Sequence, residues 1–227
     1  FRKDGTTVGS IRVFGAGEVT FGSANANGGG LYFTSDKKIL PMVSSSLSDN
    51  AVDIGKATQR FQDIYATNGT IQTSDFNEKQ DIASLTATEM LVGKRISALF
   101  KTFRWKDKVV EKGDNARTHT GVIAQDVQAA FTAEGLDAGN YALFISSTWW
   151  ETQTDVAAVE ADEDNEIEAV AAYTRTDTFD TLDEAPDGAT ERTRMGIRYP
   201  ELLAFVGSYN EQRFATIETR LTALEGA

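Results

Sequence analysis

Ile64-Tyr65-Ala66-Thr67-Asn68-Gly69-Thr70-Ile71-Gln72-Thr73-Ser74-Asp75 is the stretch where this 227-residue chain changes character. Asn68-Gly69 is a strong tight-turn signal, and Thr70 to Thr73 reads as the strand that follows it. On the upstream side, residues 1–73 hold 10 of the 19 glycines and read as short strands between turns. On the downstream side, apolar residues recur at helical spacing. The break therefore predicts an α+β chain, with a β-rich region over 1–73 and a mixed region over 74–227.

Upstream, the expected strands are Thr7 to Phe14, Glu18 to Phe21, Leu31 to Phe33 and Lys38 to Met42. Gly15-Ala16-Gly17 and the Asn25 to Gly30 cluster separate them. Strands this short and this poor in apolar content cannot enclose a core alone. Two readings remain open: intertwined copies of the chain, or the edge of a larger β domain. Residues 47–73 form a further small unit whose apolar side chains are Ile54, Phe61, Ile64 and Tyr65.

Downstream, Thr86-Ala87-Thr88-Glu89 has the form of a capping box, with Thr86 as N-cap and Glu89 as its partner. Met90, Ile96, Leu99 and Phe100 follow at helical spacing. Phe103 to Lys106 is expected as a strand. Gly121 to Phe131 opens as a strand and continues as an amphipathic helix. Leu143 to Trp150 and Thr193 to Tyr199 are expected as strands flanking a polar excursion over 155–188, with Ala169 to Thr174 as one hairpin arm. Pro200 suits a first helical turn. Over 200–226, Phe214, Ile217, Leu221 and Leu224 are spaced 3, 4 and 3, with Leu203 and Asn210 in register behind them. That is an a/d heptad seam and predicts a coiled-coil helix. A terminal helix packed on its own domain is the alternative.

The net charge of −12 is concentrated. Residues 151–191 carry 14 acids against one base, Arg175, so the remainder of the chain sums to +1. No basic stripe suits a duplex nucleic acid. The acidic run Glu160, Asp162, Glu163, Asp164, Glu166, Glu168 lacks the glycine and spacing of a calcium loop and reads as a solvated protrusion. No apolar run approaches the roughly 20 residues of a membrane span. There is no cysteine and a single histidine, His119, which excludes disulfides, thiol catalysis and a multi-histidine metal site within one chain. The chain opens at Phe1 without a leader pattern, as a fragment or processed product would. Trp149-Trp150 reads as a strand pair facing opposite ways, with sugar stacking as the lesser option.

The string from Ile64 to Asp75, with Lys79 and Asp81-Ile82 after it, resembles a junction found in phage tail fibres, tailspikes and endosialidases. There a trimeric β-rich fibre meets a C-terminal intramolecular chaperone domain that cleaves itself off. Gly121-Val122-Ile123-Ala124-Gln125-Asp126-Val127 resembles the internal signature of that family, and Tyr199 to Leu224 its closing Tyr-x-x-Leu segment and coiled coil. The resemblance covers residues 47–227. It implies a homotrimer whose client is its own fibre region, assembled in the host cytoplasm and released from a virion fibre that binds a host-surface glycan receptor. It implies no cofactor, nucleic acid or membrane insertion. It also implies Ser74 as nucleophile, Lys79 as base, and Thr73–Ser74 as the scissile bond. The chain has Phe76 where members often carry Arg or another polar residue. A receptor- or carbohydrate-binding trimeric tip without proteolysis is the alternative function.

The chemistry is consistent with that assignment. A serine hydroxyl needs a base. A lysine with an ordinary pKa of about 10.4 is neutral in about one molecule in 2,500 at pH 7, and burial in apolar surroundings raises that fraction. Phe76 and Ile82 are candidates for the apolar wall, and His119 stays open as another base. Positions i and i+5 do not share a helix face. Ser74 and Lys79 must therefore meet across a turn or across a subunit boundary.

Overall fold

A computed structural model describes residues 1–3, 5–14, 18–25, 27–44, 46–61, 64, 74–160 and 169–226. The chain divides into two compact units, Phe1–Ala66 and Thr67–Ala227. The division falls seven residues before the one expected at Thr73/Ser74, within a stretch outside the described residues. The Asn68-Gly69 turn, the strand after it and Tyr65 also lie outside them.

The first unit pairs β1 (Arg2–Lys3) with β2 (Thr6–Thr7). Five further strands follow: β3 (Gly9–Phe14), β4 (Glu18–Ser23), β5 (Gly29–Phe33), β6 (Ile39–Val43) and β7 (Ser46–Leu47). They form one antiparallel meander in the order β3-β4-β5-β6-β7. The period of two sorts the side chains between its faces. Thr20, Tyr32 and Met42 are buried on one face. The other carries two cross-strand rows, Ile11–Phe21–Leu31–Pro41 and Val13–Val19–Phe33–Ile39. Seven of these eight are large hydrophobics left exposed, with Phe21 and Phe33 meeting edge to face at 5.5 Å. Ile54, Phe61 and Ile64 are exposed as well. The short strands are thus real, and within one chain one side of their sheet stays bare.

The second unit begins its regular structure at α1 (Ala87–Ser97), with the capping box complete. Thr86 Oγ1 accepts the Glu89 N–H at 3.2 Å, and the Glu89 carboxylate accepts the Thr86 N–H at 2.7 Å. Next come β8 (Lys101–Phe103), α2 (Lys106–Lys112), β9 (His119–Gly121) and α3 (Ala124–Thr132). β10 (Phe144–Val156), β11 (Tyr173–Phe179), β12 (Thr190–Ile197) and α4 (Tyr199–Glu225) complete the unit. Val92 and Ile96 of α1, Val127, Ala130 and Phe131 of α3, Leu143, Phe144, and Leu202 of α4 make one core. Leu99 and Phe100 lie beyond the end of α1 and pack against that core. Among the described residues, no helix is long and apolar enough to cross a membrane.

Four expected boundaries move. The strand expected over Phe103 to Lys106 is instead β8 and the start of α2. Trp105 takes extended backbone at the N-cap, a Lys108–Glu111 pair of 2.6 Å braces the helix, and Gly113, with φ of +54°, ends it. The strand expected to stop at Trp150 runs on to Val156, because its second half pairs with β11 over Trp150–Val156 while its first half pairs with β12. The hairpin arm expected at Ala169 to Thr174 is β11, shifted to Tyr173–Phe179. Among the described residues, a Val159–Val170 bridge lies upstream of it. Residues 155–156 and 173–179 of the acidic excursion therefore continue the sheet β11-β10-β12. The strand expected to reach Tyr199 ends at Ile197, where Pro200 in the first turn of α4 claims Tyr199 for the helix.

On α4, Leu202 and Tyr209 are buried, whereas Leu203, Phe214, Ile217, Leu221 and Leu224 are all exposed. The helix has one apolar face committed to its own unit and a second, at heptad spacing, without cover inside the chain.

Candidate active site

Ser74 and Lys79 flank a single 3₁₀ turn, Phe76–Glu78. Asp75 caps it in extended conformation, and its Oδ1 accepts the Asn77 backbone N–H at 2.8 Å and the Asn77 amide Nδ2 at 2.9 Å. The Lys79 N–H closes the turn on the Phe76 carbonyl at 3.1 Å. The reversal brings Lys79 Nζ to 2.7 Å from Ser74 Oγ, where it donates a hydrogen bond. Of the two routes open to a five-residue spacing, the contact takes the turn, within one chain. Thr73 lies outside the described residues.

Among the described residues, Phe76 and Ile82 do not form the apolar wall expected around the ammonium. Phe76 is 75% exposed and Ile82 63%, and Ser74 and Lys79 are both exposed.

The remaining candidates sort themselves by their contacts. His119, on β9, stacks on Phe103 at 5.7 Å and meets Trp105 at 6.2 Å, which assigns its ring to an aromatic cluster. Trp149 is 8% exposed, with the Arg194 guanidinium 5.1 Å over its ring, so the Trp149-Trp150 pair offers no open double platform. Gln125 is exposed, and Asp126 forms an exposed ion pair with Lys101 at 3.2 Å. Residues 161–168 of the acidic run lie outside the described residues.

The two downstream signature strings turn out to be one packing unit. The Val122 N–H donates to Tyr199 Oη at 3.1 Å. Gly121 has no room for a Cβ because Tyr199 Oη fills that space. Leu202, one turn further on, is fully buried in the core with Val122 and Val127. Two contacts carried no sequence signal. With its amide oriented by hydrogen bonding, Gln212 pairs with both backbone groups of Leu85, at 3.2 and 3.1 Å, and so ties the chain between the turn and α1 to α4. The Glu89 carboxylate also accepts Tyr141 Oη–H at 2.9 Å. Hydrogen bonding from Thr86, above all from its N–H, lowers the Glu89 pKa despite partial burial. Burial, followed by the Glu89 contact, pushes Tyr141 up to about 12.

Residues 74–136 match the family described as chaperone of endosialidase. Over this segment the chain is similar to that family. Its matched segment opens on Ser74 and takes in Lys79, α1 and the Gly121–Val127 string. The chain is 30% identical over 200 residues to a probable tail spike protein of Klebsiella phage 0507-KN2-1, covering 88% of this chain and 15% of that one. It is 35% identical over 134 residues to a capsule K3-specific depolymerase of Klebsiella phage KP32, covering 59% and 15%. The chain thus spans about 15% of the length of these relatives. In fold it is similar to the carboxy-terminal domain of the bacteriophage T5 L-shaped tail fibre with its intramolecular chaperone domain. The TM-score is 0.69 at 22% identity, covering 94% of this chain and 49% of that one.

Proposed function

We propose that this chain trimerises, guides the folding of the β-rich fibre or spike segment that precedes its chaperone domain, and then releases itself by cutting the Thr73–Ser74 bond. The observation that carries this reading is the 2.7 Å approach of Lys79 Nζ to Ser74 Oγ at the first residue of the family match. Two bare apolar surfaces support the homotrimer. They are the double row on the β3–β6 sheet and the heptad seam of α4. A soluble monomer rarely leaves two such surfaces open.

The reaction starts when a neutral Lys79 takes the Ser74 hydroxyl proton. Oγ then attacks the Thr73 carbonyl carbon through a five-membered ring. The tetrahedral oxyanion collapses, the C–N bond breaks, and the Ser74 nitrogen takes a proton back from the Lys79 ammonium. The product is an ester from Thr73 to Ser74 Oγ beside a free Ser74 amine. Water hydrolyses the ester, restoring the hydroxyl and leaving a Thr73 carboxylate. Association supplies the gate. In a lone chain Lys79 is exposed. A neighbouring chain laid over it removes water and favours the neutral amine.

The work of the domain is kinetic. Interleaved β-structure assembles slowly and is sensitive to register. Early association through α4 raises the local concentration of the three chains, and cleavage then removes the way back. The mature fibre stays on the virion tail, where it meets a host-surface glycan. A denaturing gel tests the proposal. Wild-type protein should yield fragments of 73 and 154 residues, the larger beginning at Ser74. Ser74→Ala and Lys79→Ala should each leave one band. Assembled wild-type protein that stays undivided for days, or a new amino terminus elsewhere, overturns it.

A further inference from the structure

We infer that Asp75 is a positioning residue for the Ser74–Lys79 pair, acting through its cap on the intervening turn and not through its charge. The inference rests on the proposed self-cleavage and names a residue that cleavage needs.

A five-residue separation spans roughly 16 Å when extended, so the chain must reverse within three residues to bring Lys79 Nζ to Ser74 Oγ. A lone 3₁₀ turn is marginal by itself. This one has no buried residue. Phe76, at its start, is exposed, so packing among the described residues does not hold the reversal. Its backbone bonds are few: Glu78 N–H to the Asp75 carbonyl at a long 3.3 Å, and Lys79 N–H to Phe76 at 3.1 Å. Apart from the Lys79–Ser74 contact itself, the shortest bond is the one the Asp75 carboxylate accepts from the Asn77 N–H at 2.8 Å, and the same oxygen accepts from the Asn77 side chain at 2.9 Å. Asp75 thus satisfies the donor that a short helix leaves unpaired and fixes Asn77 by two bonds. Removing the cap lets the turn open, and the approach of Lys79 to Ser74 goes with it.

A carboxylate next to a lysine has a second possible effect. Its negative charge would favour the ammonium and oppose deprotonation. Asparagine separates the two, because it caps as well as aspartate but carries no charge. Cap losses in the usual range correspond to rate losses of about 2- to 30-fold.

The test uses the full chain and follows cleavage against pH in wild type, Asp75→Ala and Asp75→Asn. The expected result is an Asp75→Ala rate about tenfold below wild type, and an Asp75→Asn rate within about twofold of it with an unmoved pH midpoint. In a Ser74→Ala background, hydrogen exchange at the Asn77 amide should speed up on Asp75→Ala and stay slow on Asp75→Asn. That readout does not depend on cleavage. If wild type cuts and Asp75→Ala cuts equally fast, the inference falls while the proposed function stands. If Asp75→Asn is as slow as Asp75→Ala, or moves the pH midpoint, charge is the cause and the inference falls. If wild type does not cut, the proposed function falls, and the exchange experiment still decides whether Asp75 holds the turn.

Discussion

Gly93→Ala sets two effects of known size against each other. Gly93 is buried in the middle of α1, where alanine is worth about 1 kcal/mol in helix propensity. On an open face the substitution would therefore stabilise. Gly93, however, faces α4. A Cβ built there would sit 2.7 Å from Tyr209 Cβ and 2.8 Å from Tyr209 Cγ. Ordinary carbon–carbon contact is 3.5–4.0 Å, so a gap of about 1 Å must open. A rotamer change cannot supply it, because Tyr209 Cβ is fixed by its own backbone. The helices have to separate instead.

Separation is costly because α1 and α4 bring Val92, Ile96 and Leu202 into one core, all three fully buried. A gap of 0.5–1 Å forfeits a quarter to a half of each contact across it, and overpacking of this kind costs about 1–3 kcal/mol. After the propensity gain of about 1 kcal/mol, a net loss of about 0–2 kcal/mol remains. Urea unfolding of the Ser74→Ala chain, with and without Gly93→Ala, measures it at one fixed protein concentration. A Gly93→Ala chain about 1 kcal/mol more stable than its parent, the bare propensity gain, would refute the close crossing of α1 and α4.

Two further outcomes test the packing around the site. Tyr199→Phe keeps the ring but strips the acceptor from the Val122 N–H; it should cost about 1–3 kcal/mol in the same urea assay. Glu89→Ala loses both the capping box and the Tyr141 contact and should cost about 1–2 kcal/mol at pH 7, with Glu89→Gln milder because glutamine also completes a capping box. The depressed Glu89 pKa makes its contribution present above the ordinary carboxylate range and lost as pH falls through the folded value. Glu89→Gln should therefore flatten the acid side of the stability profile. Tyr141, raised to about 12, acts in the opposite direction, contributing below its ordinary value and losing that contribution as pH rises through 12.

Much of this arrangement was legible in the residues because the relevant signals are local. Thr86 and Glu89 announce the start of α1 through side chains that meet within one turn. The alternation in Ile11–Val13, Val19–Phe21 and Leu31–Phe33 announces strands with one apolar face. The heptad over 203–224 announces a second stripe on α4. The failures arise where a tertiary partner decides. Nothing within Glu151 to Val156 says strand as clearly as the β11 edge that pairs with it. Lys106 to Lys112 has too little apolar periodicity to declare a helix that a glycine stop and an i,i+3 ion pair make possible. At the site, the spacing of Ser74 and Lys79 favoured a turn but left a subunit boundary open. The cap that holds the turn is a hydrogen bond that the Asp75 carboxylate accepts from the Asn77 backbone N–H, which composition and spacing do not display. Gln212 on Leu85 is the same kind of contact across 127 residues.

The exposed dyad has a consequence that reaches to the far end of the chain. Ser74 and Lys79 already meet in one chain, so geometry alone does not hold the reaction back. In the proposed reaction water on Lys79 would do so, and the α4 seam that would bring a second chain lies far along the sequence from it. Leu221 on the α4 seam is 52% exposed and belongs to no core contact of its own unit. Leu221→Asp should leave the stability of an isolated chain within about 0.5 kcal/mol, as exposed substitutions do. It should still lower the mass seen by sedimentation equilibrium and stop cleavage at neutral pH, about 150 residues from the bond. At alkaline pH, near the ordinary lysine range of about 10.4, the same variant should regain some cleavage, because hydroxide then does what a neighbouring chain would otherwise do. If Leu221→Asp abolishes association and the chain still cuts at the wild-type rate at pH 7, the dyad needs no neighbour, and assembly is not the gate.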